Sequence, residues 1–129
     1  LFGIYSFPQV HQMISTVVSE LKENTPWTEA IRHAFPMGSM TGAPKISAMQ
    51  LIEKIEVFKR GLYSGAVGFV TPDSNFDFNV VIRSILYNST NLYASLPVGS
   101  AITANANSKD EYNECYLKAK AMMEVLNVK

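Results

Sequence analysis

Apolar positions in the first half of the chain recur at helical spacing, and those in the second half alternate. Ile14, Val17, Val18 and Leu21 fall three and four apart, which predicts a helix over Val10 to Glu23. His11 then points near its buried face from the first turn, as a functional group or as a partly buried polar residue or capping group. Residues 1–9 are apolar and aromatic without a period and read as the end of a strand. Asn24-Thr25-Pro26 stops the first helix and starts a short second one, Pro26 to Ala34, with Thr25 as its cap. A turn-rich stretch, Met37 to Ala43, leads through Pro44-Lys45 into a third helix, with Thr41 as its cap and Pro44 in its first turn. Ile46, Met49, Ile52 and Ile55 give that helix a core-facing stripe. It ends near Val57, before the C-terminal signature Lys59-Arg60-Gly61.

From Leu62 the period becomes two. Leu62 to Thr71 is a predicted strand whose small residues Ser64, Gly65 and Gly68 invite close approach by a neighbour. Pro72 to Asn75 is a turn, and a second strand follows from Phe76 to Tyr87. Arg83 lies on that strand between Val81 and Ile85 on its own face; an arginine so placed is paired, or covers the face with its stem. Asn88 to Asn91 is another turn, and a third strand runs from Leu92 to Thr103, with Pro97 and Gly99-Ser100 marking an edge or bulge. Ser108 to Val125 is a helix in which Ser108 and Glu111 fit a capping box, while Glu111, Glu114 and Lys118 share one stripe. Three helices, three strands and a helix make an α+β pattern with an antiparallel meander.

Composition narrows the classes. The 129 residues are 47% hydrophobic and 17% charged, enough to bury a core. Eleven basic and eleven acidic residues balance without a run or stripe, which argues against nucleic acid as a partner. The single cysteine, Cys115, excludes an internal disulfide, and no apolar stretch approaches the ~18 residues of a membrane span. The start, LFGIYSFPQV, has neither an initiator Met nor a charged leader, so the chain is expected to be cut from the middle of a longer protein. No dinucleotide fingerprint, P-loop, paired-cysteine zinc pattern or serine elbow is present. The chemistry visible in the residues is an anion site where Ser39, Thr41 and Lys45 surround a helix start, plus carboxylates suited to a metal.

Four segments taken together add a resemblance. VHQMISTV (10–17), FPMGSMTGAPKISAMQLIEKIE (35–56), RGLYSGAVGFV with DFNVVIRSI (60–85), and VGSAIT with DEYNECYLKAKAM (98–122) resemble the chorismate-utilising enzymes, in order and spacing, over nearly the whole chain. The resemblance implies part of a four-layer helix/sheet/sheet/helix domain with antiparallel sheets, of which residues 1–129 form the C-terminal portion. By matching position it implies that His11 is the catalytic histidine near the ring substituent. Ser39 and Gly42 belong to the loop wall, and Tyr63 and Arg83 hold a substrate carboxylate. The backbone of Gly99, Ser100 and Ala101 forms a third side of the cradle. Glu114 is implied as a magnesium ligand with Glu111 as a neighbouring carboxylate, which the capping box alone would also explain, and Lys118 lies one turn on.

GSMTGAPK follows the G-S-x-T-G-A-P-K form of the aminodeoxychorismate branch rather than the G-T-x-S-G-A-P-K form of the anthranilate branch. VGSAIT departs from the frequent A-G-x-G-I-V, with Ala101 at a common glycine, and Asn105 replaces a common Asp. In the aminodeoxychorismate branch the nucleophile is a lysine in a PIKGT-type segment, which would lie upstream of Leu1. The implied reaction converts chorismate and ammonia into 4-amino-4-deoxychorismate, with Mg2+ as cofactor and a glutamine amidotransferase subunit or domain as ammonia source, in the cytoplasm. The alternatives are anthranilate formation, a generic acid-binding module, or a non-catalytic piece. The isolated piece is expected to be inactive and, with strand faces uncovered, to self-associate.

Overall fold

The computed structural model describes residues 2–8 and 10–127. It divides into two compact units, Leu1–Ala34 and Phe35–Lys129. In the first, β1 (Gly3–Phe7) pairs antiparallel with β2 (Val10–Ile14), placing Ser6 opposite His11 and Tyr5 opposite Gln12. The helix expected over Val10 to Glu23 is therefore absent. Its first five residues form a strand, and 15–22 hold no helix or strand. The β-branched run Thr16-Val17-Val18 disfavours a helix, and β2 instead satisfies its backbone groups across the hairpin. Val17 and Val18 stay 92% and 85% exposed, so no apolar face rewards a helix there. The second predicted helix is present as α1 (Trp27–Ala34), where Glu29 accepts two hydrogen bonds from the Arg32 guanidinium at 2.8 and 3.1 Å.

The second unit opens with the short α2 (Gly38–Thr41), followed by α3 (Lys45–Ile55). Thr41 does not cap α3. Its hydroxyl donates back to the Met37 carbonyl at 3.1 Å, closing the α2 turn, and the N-cap position of α3 falls on Pro44 without a side-chain cap. The stripe on α3 is only half covered: Ile46 and Ile55 are 74% and 67% exposed, while Met49 and Ile52 line a small cavity.

β3 (Ala66–Val70) and β4 (Phe76–Val80) form an antiparallel hairpin around the expected turn. A Cβ on Gly68 would lie 2.0 Å from the Asp77 carbonyl of β4, so the close approach expected from the small residues is real and requires glycine. The strand expected from Phe76 to Tyr87 divides. Ile82 N–H turns back to the Val80 carbonyl at 2.9 Å, the Ser84 hydroxyl bonds the Ile82 carbonyl at 2.8 Å, and Arg83 takes φ 48°. These local bonds end β4, and β5 (Leu86–Asn88) starts a separate hairpin with β6 (Tyr93–Ser95). Among the described residues the sheets are thus three two-stranded hairpins rather than one meander. The third strand is also shorter than expected, stopping before Pro97, which cannot donate to a ladder.

α4 (Ser108–Val125) keeps its expected bounds, but its cap is Asn107, whose side chain accepts from Lys109 N at 3.0 Å and Asp110 N at 3.3 Å. The Ser108 capping box does not form, which frees Glu111 for another partner. Burial is sparse: among the described residues only Ala119 and Ser64 are buried. The fold is α+β with small antiparallel sheets.

Candidate functional site

Three segments of the second unit meet around Tyr63. The turn after α3 presents its ring, the extended stretch after β6 brings Gly99 and Ser100, and one stripe of α4 supplies Glu111, Glu114 and Lys118. A Cβ on Gly99 would sit 2.8 Å from the Tyr63 hydroxyl, so the backbone reaches the phenol only because position 99 lacks a side chain. Lys118 Nζ donates to the Gly99 carbonyl at 3.0 Å and pairs with Glu114 Oε1 at 2.5 Å. The Ser100 hydroxyl donates to Glu111 Oε2. The four-residue spacing of Glu114 and Lys118 thus does more than make a surface ion pair: the lysine ties the 99–101 stretch to α4.

The electrostatics follow from these contacts. The Glu114 carboxyl is held below the ordinary range, first by its hydrogen bond from Lys118 and also by that lysine's charge. Burial pushes the Tyr63 phenol up, and the nearby charges of Arg60 and Lys118 pull it partly back. A phenol so placed stays a neutral O–H donor at physiological pH. Cys115 also lies within electrostatic reach of Tyr63.

Arg60 is the residue the sequence pattern undervalued. Read as a helix-end cation, it instead forms a bidentate pair with Glu56, 2.8 Å from Nε and 2.5 Å from Nη2. Its Nη1 donates to the Met40 carbonyl at 2.8 Å and the Ser64 hydroxyl at 3.2 Å, and its guanidinium carbon is 5.8 Å from the Tyr63 ring centroid. The Glu56–Arg60 spacing of four was the available signal.

Ser39 is exposed in α2, and Gly42 ends that turn, its N–H bonded to the Gly38 carbonyl at 2.9 Å. Ala101 is exposed beside Ser100. Arg83 is exposed, and among the described residues no hydrogen bond or ion pair is found for it. His11 belongs to the first unit, where Nδ1 shares a hydrogen bond with Ser6 Oγ at 2.9 Å.

Two cavities border these elements. The larger, about 500 Å³, is lined by Leu62, Tyr87, Tyr93 and their neighbours, with no charged group to meet an acid. The smaller, about 240 Å³, is lined by Thr41, Met49, Ile52, Arg60, Tyr63 and Ser64 among others. It joins the loop before α3 to Tyr63 and is lined by both a cation, Arg60, and a carboxylate, Glu53. For a metal, no group of three or more His, Cys, Asp or Glu is found among the described residues. The Glu111 and Glu114 carboxylates, both tied to the Ser100 region, form an incomplete set of hard oxygen donors. That suits magnesium, which binds through one or two carboxylates and leaves positions to water and substrate.

Comparison with known proteins gives this arrangement a context. A family model described as chorismate binding enzyme matches residues 1–124. A probable chloroplastic aminodeoxychorismate synthase of Oryza sativa is 40% identical over 98% of this chain and 14% of its own length. Aminodeoxychorismate synthase component 1 of Salmonella typhimurium is 34% identical over 98% of the chain and 27% of its own. Anthranilate synthase component 1 of Aquifex aeolicus is also 34% identical, over 97% and 25% respectively. The chain therefore spans about a quarter or less of the length of most of these relatives, and overall identity alone does not separate the two activities.

Proposed function

The chain belongs to the chorismate binding enzyme family, and from that premise we propose that it forms part of the chorismate site of an aminodeoxychorismate synthase component I. The observation that carries this reading is the meeting of Tyr63, the Gly99–Ser100 backbone and the α4 stripe, drawn from three separate segments. We read residues 1–129 as a portion of one four-layer catalytic domain.

Chorismate is a dianion, so its site needs oriented donors. The Tyr63 phenol supplies a neutral one, and backbone N–H groups at Gly99 to Ala101 supply others without obstruction. Arg83 fits the remaining part of a carboxylate clamp: it is exposed, without a partner among the described residues, and a planar fork meets a carboxylate bidentately. Its left-handed backbone at φ 48° is strain of the kind that collects at ligand sites. Lys118 holds the cradle to α4 and adds positive charge beside it. Ser39 and Gly42 shape the loop wall.

Glu111 and Glu114 would hold magnesium, which when bound supplies a positive charge opposite a substrate carboxylate. Exchanging the ring 4-hydroxyl for an amine requires a proton on the departing oxygen. His11 is suited to that role as an imidazole whose Nδ1 shares a hydrogen bond with Ser6 Oγ. The reaction consumes chorismate and ammonia and releases water and 4-amino-4-deoxychorismate, with the enolpyruvyl arm kept. An amidotransferase partner supplying the ammonia from glutamine accords with a protein that works as a component. The aminodeoxychorismate branch rests on the residues of GSMTGAPK.

The test is the product formed by the full-length protein from chorismate, ammonia and Mg2+. A product retaining the enolpyruvyl arm is expected. Release of pyruvate with an aromatic, fluorescent product would assign anthranilate formation instead, and no turnover or binding of chorismate would overturn both.

A further inference from the structure

The contacts of Arg60 exceed what an ion pair needs. Its four hydrogen bonds reach Glu56 just beyond α3, the Met40 carbonyl in α2 and the Ser64 hydroxyl after Tyr63, while its plane lies near the Tyr63 ring. Its side chain is 22% exposed, against 70% for Arg32, which makes an ordinary helix-surface pair. Arg60, Tyr63, Ser64 and Thr41 line the same cavity. Ser64, one of two buried residues among those described, sits at φ 68° and is held there by its N–H bond to the Val81 carbonyl and by Arg60.

We propose that Arg60 is a positioning residue that fastens the Gly38–Thr41 turn to Tyr63, so that the loop and the phenol meet the substrate at a fixed separation. This rests on the reading of Tyr63 as a substrate donor. The planar fork is essential: Glu56 takes one edge and fixes the plane, which aims Nη1 at Met40 O and Ser64 Oγ. A lysine ammonium, with three donors on a single atom, reaches only part of this set. Glu56 orients Arg60, and its carboxyl is held below the ordinary range by that bond. The Thr41 and Gly42 amides are closed within the turn by bonds to Met37 O and Gly38 O, and they report whether the turn is held.

The experiment compares full-length wild type with Arg60→Ala, Arg60→Lys, Glu56→Gln, Tyr63→Phe and Arg60→Ala/Tyr63→Phe. It measures KM and kcat for chorismate with ammonia, together with amide exchange at Thr41 and Gly42. Arg60→Ala is expected to raise KM about tenfold or more, the loss of charge-assisted hydrogen bonds, with a smaller change in kcat. Arg60→Lys should keep the melting temperature near wild type without restoring KM. The double variant should be no worse than about twofold beyond the weaker single variant, because both act through one group. Exchange at both amides should quicken in Arg60→Ala, Arg60→Lys and, to a lesser degree, Glu56→Gln. Restoration of KM by lysine, multiplying single effects, or unchanged exchange would each overturn the proposal. If the wild type does not use chorismate, the functional reading falls and the exchange data alone decide Arg60. If Arg60→Ala does not fold, the lysine and Glu56→Gln variants decide it.

Discussion

Gly99 shows how one missing side chain organises the site. Its backbone lies against the Tyr63 phenol, where a Cβ would be 2.8 Å from the hydroxyl oxygen. Gly99→Ala must therefore move the ring or the backbone, and we expect chorismate affinity to fall about tenfold, the order of one lost hydrogen bond to a charged group. Calorimetric titration of the full-length protein with chorismate checks this; unchanged affinity would remove Tyr63 and Gly99 from the cradle. Lys118 offers a second test with a definite sign. Glu114 titrates below its ordinary range mainly through its bond from Lys118, so the tie is present at neutral pH and is lost as pH falls through that lowered value. In Lys118→Met the carboxyl should return toward the ordinary ~4.3 of glutamate. A carbon NMR titration of Glu114 reads this directly, and superimposable curves would show that the pair is electrostatically idle. The stripe of Glu111, Glu114 and Lys118 was legible in the sequence because helical spacing projects it. Arg60 was not, because its partner at Met40 lies twenty residues away and only the fold brings them together.

Elements were readable in proportion to how far their signals agreed. α4 was, because a polar start, helix formers and an acidic first turn all point to one helix. Its cap was misread by one residue: Asn107 and Ser108 are both good caps, and only the backbone decides which one is non-helical. Asn107→Ala should thus destabilise α4 by about 1 kcal/mol, whereas Ser108→Ala should cost much less. Urea unfolding of the two variants separates them, and the reverse order would restore the capping box. At the other end of the chain, Val10 to Ile14 could be read at either period, a recurrent ambiguity of short apolar runs. Pairing with β1 decided it, and such pairing is a non-local fact. The strand expected through Arg83 ends early for a similar reason, since the alternation continues through 81–85 while local bonds from Ile82 and Ser84 bend the backbone.

On the scale of the whole molecule, hydrophobic surface is the dominant feature. Val57 at 99%, Ile4 at 74%, Leu117 at 72% and Val67 and Phe69 at 62% are side chains that composition alone would assign to a core. Patterning marked the stripe of Ile46, Met49, Ile52 and Ile55 on α3 and could not say what covers it. β3 and β4 add a further hazard, since among the described residues they form a two-stranded sheet with no third strand beside it. A polypeptide of residues 1–129 alone is therefore expected to self-associate. Sedimentation should give a mass that rises with concentration above 14.3 kDa, with strong binding of a hydrophobic dye. Charge on the exposed face of β3 should oppose this: Val67→Lys/Phe69→Lys is expected to lower the associated fraction, as lysines blunt strand edges in natural sheets. A monomeric, dye-silent polypeptide would mean that these faces close on each other in solution. Association unchanged by the two lysines would move the contact from β3 to another face, with the α3 and α4 surfaces carrying Ile46, Ile55 and Leu117 the next to be charged.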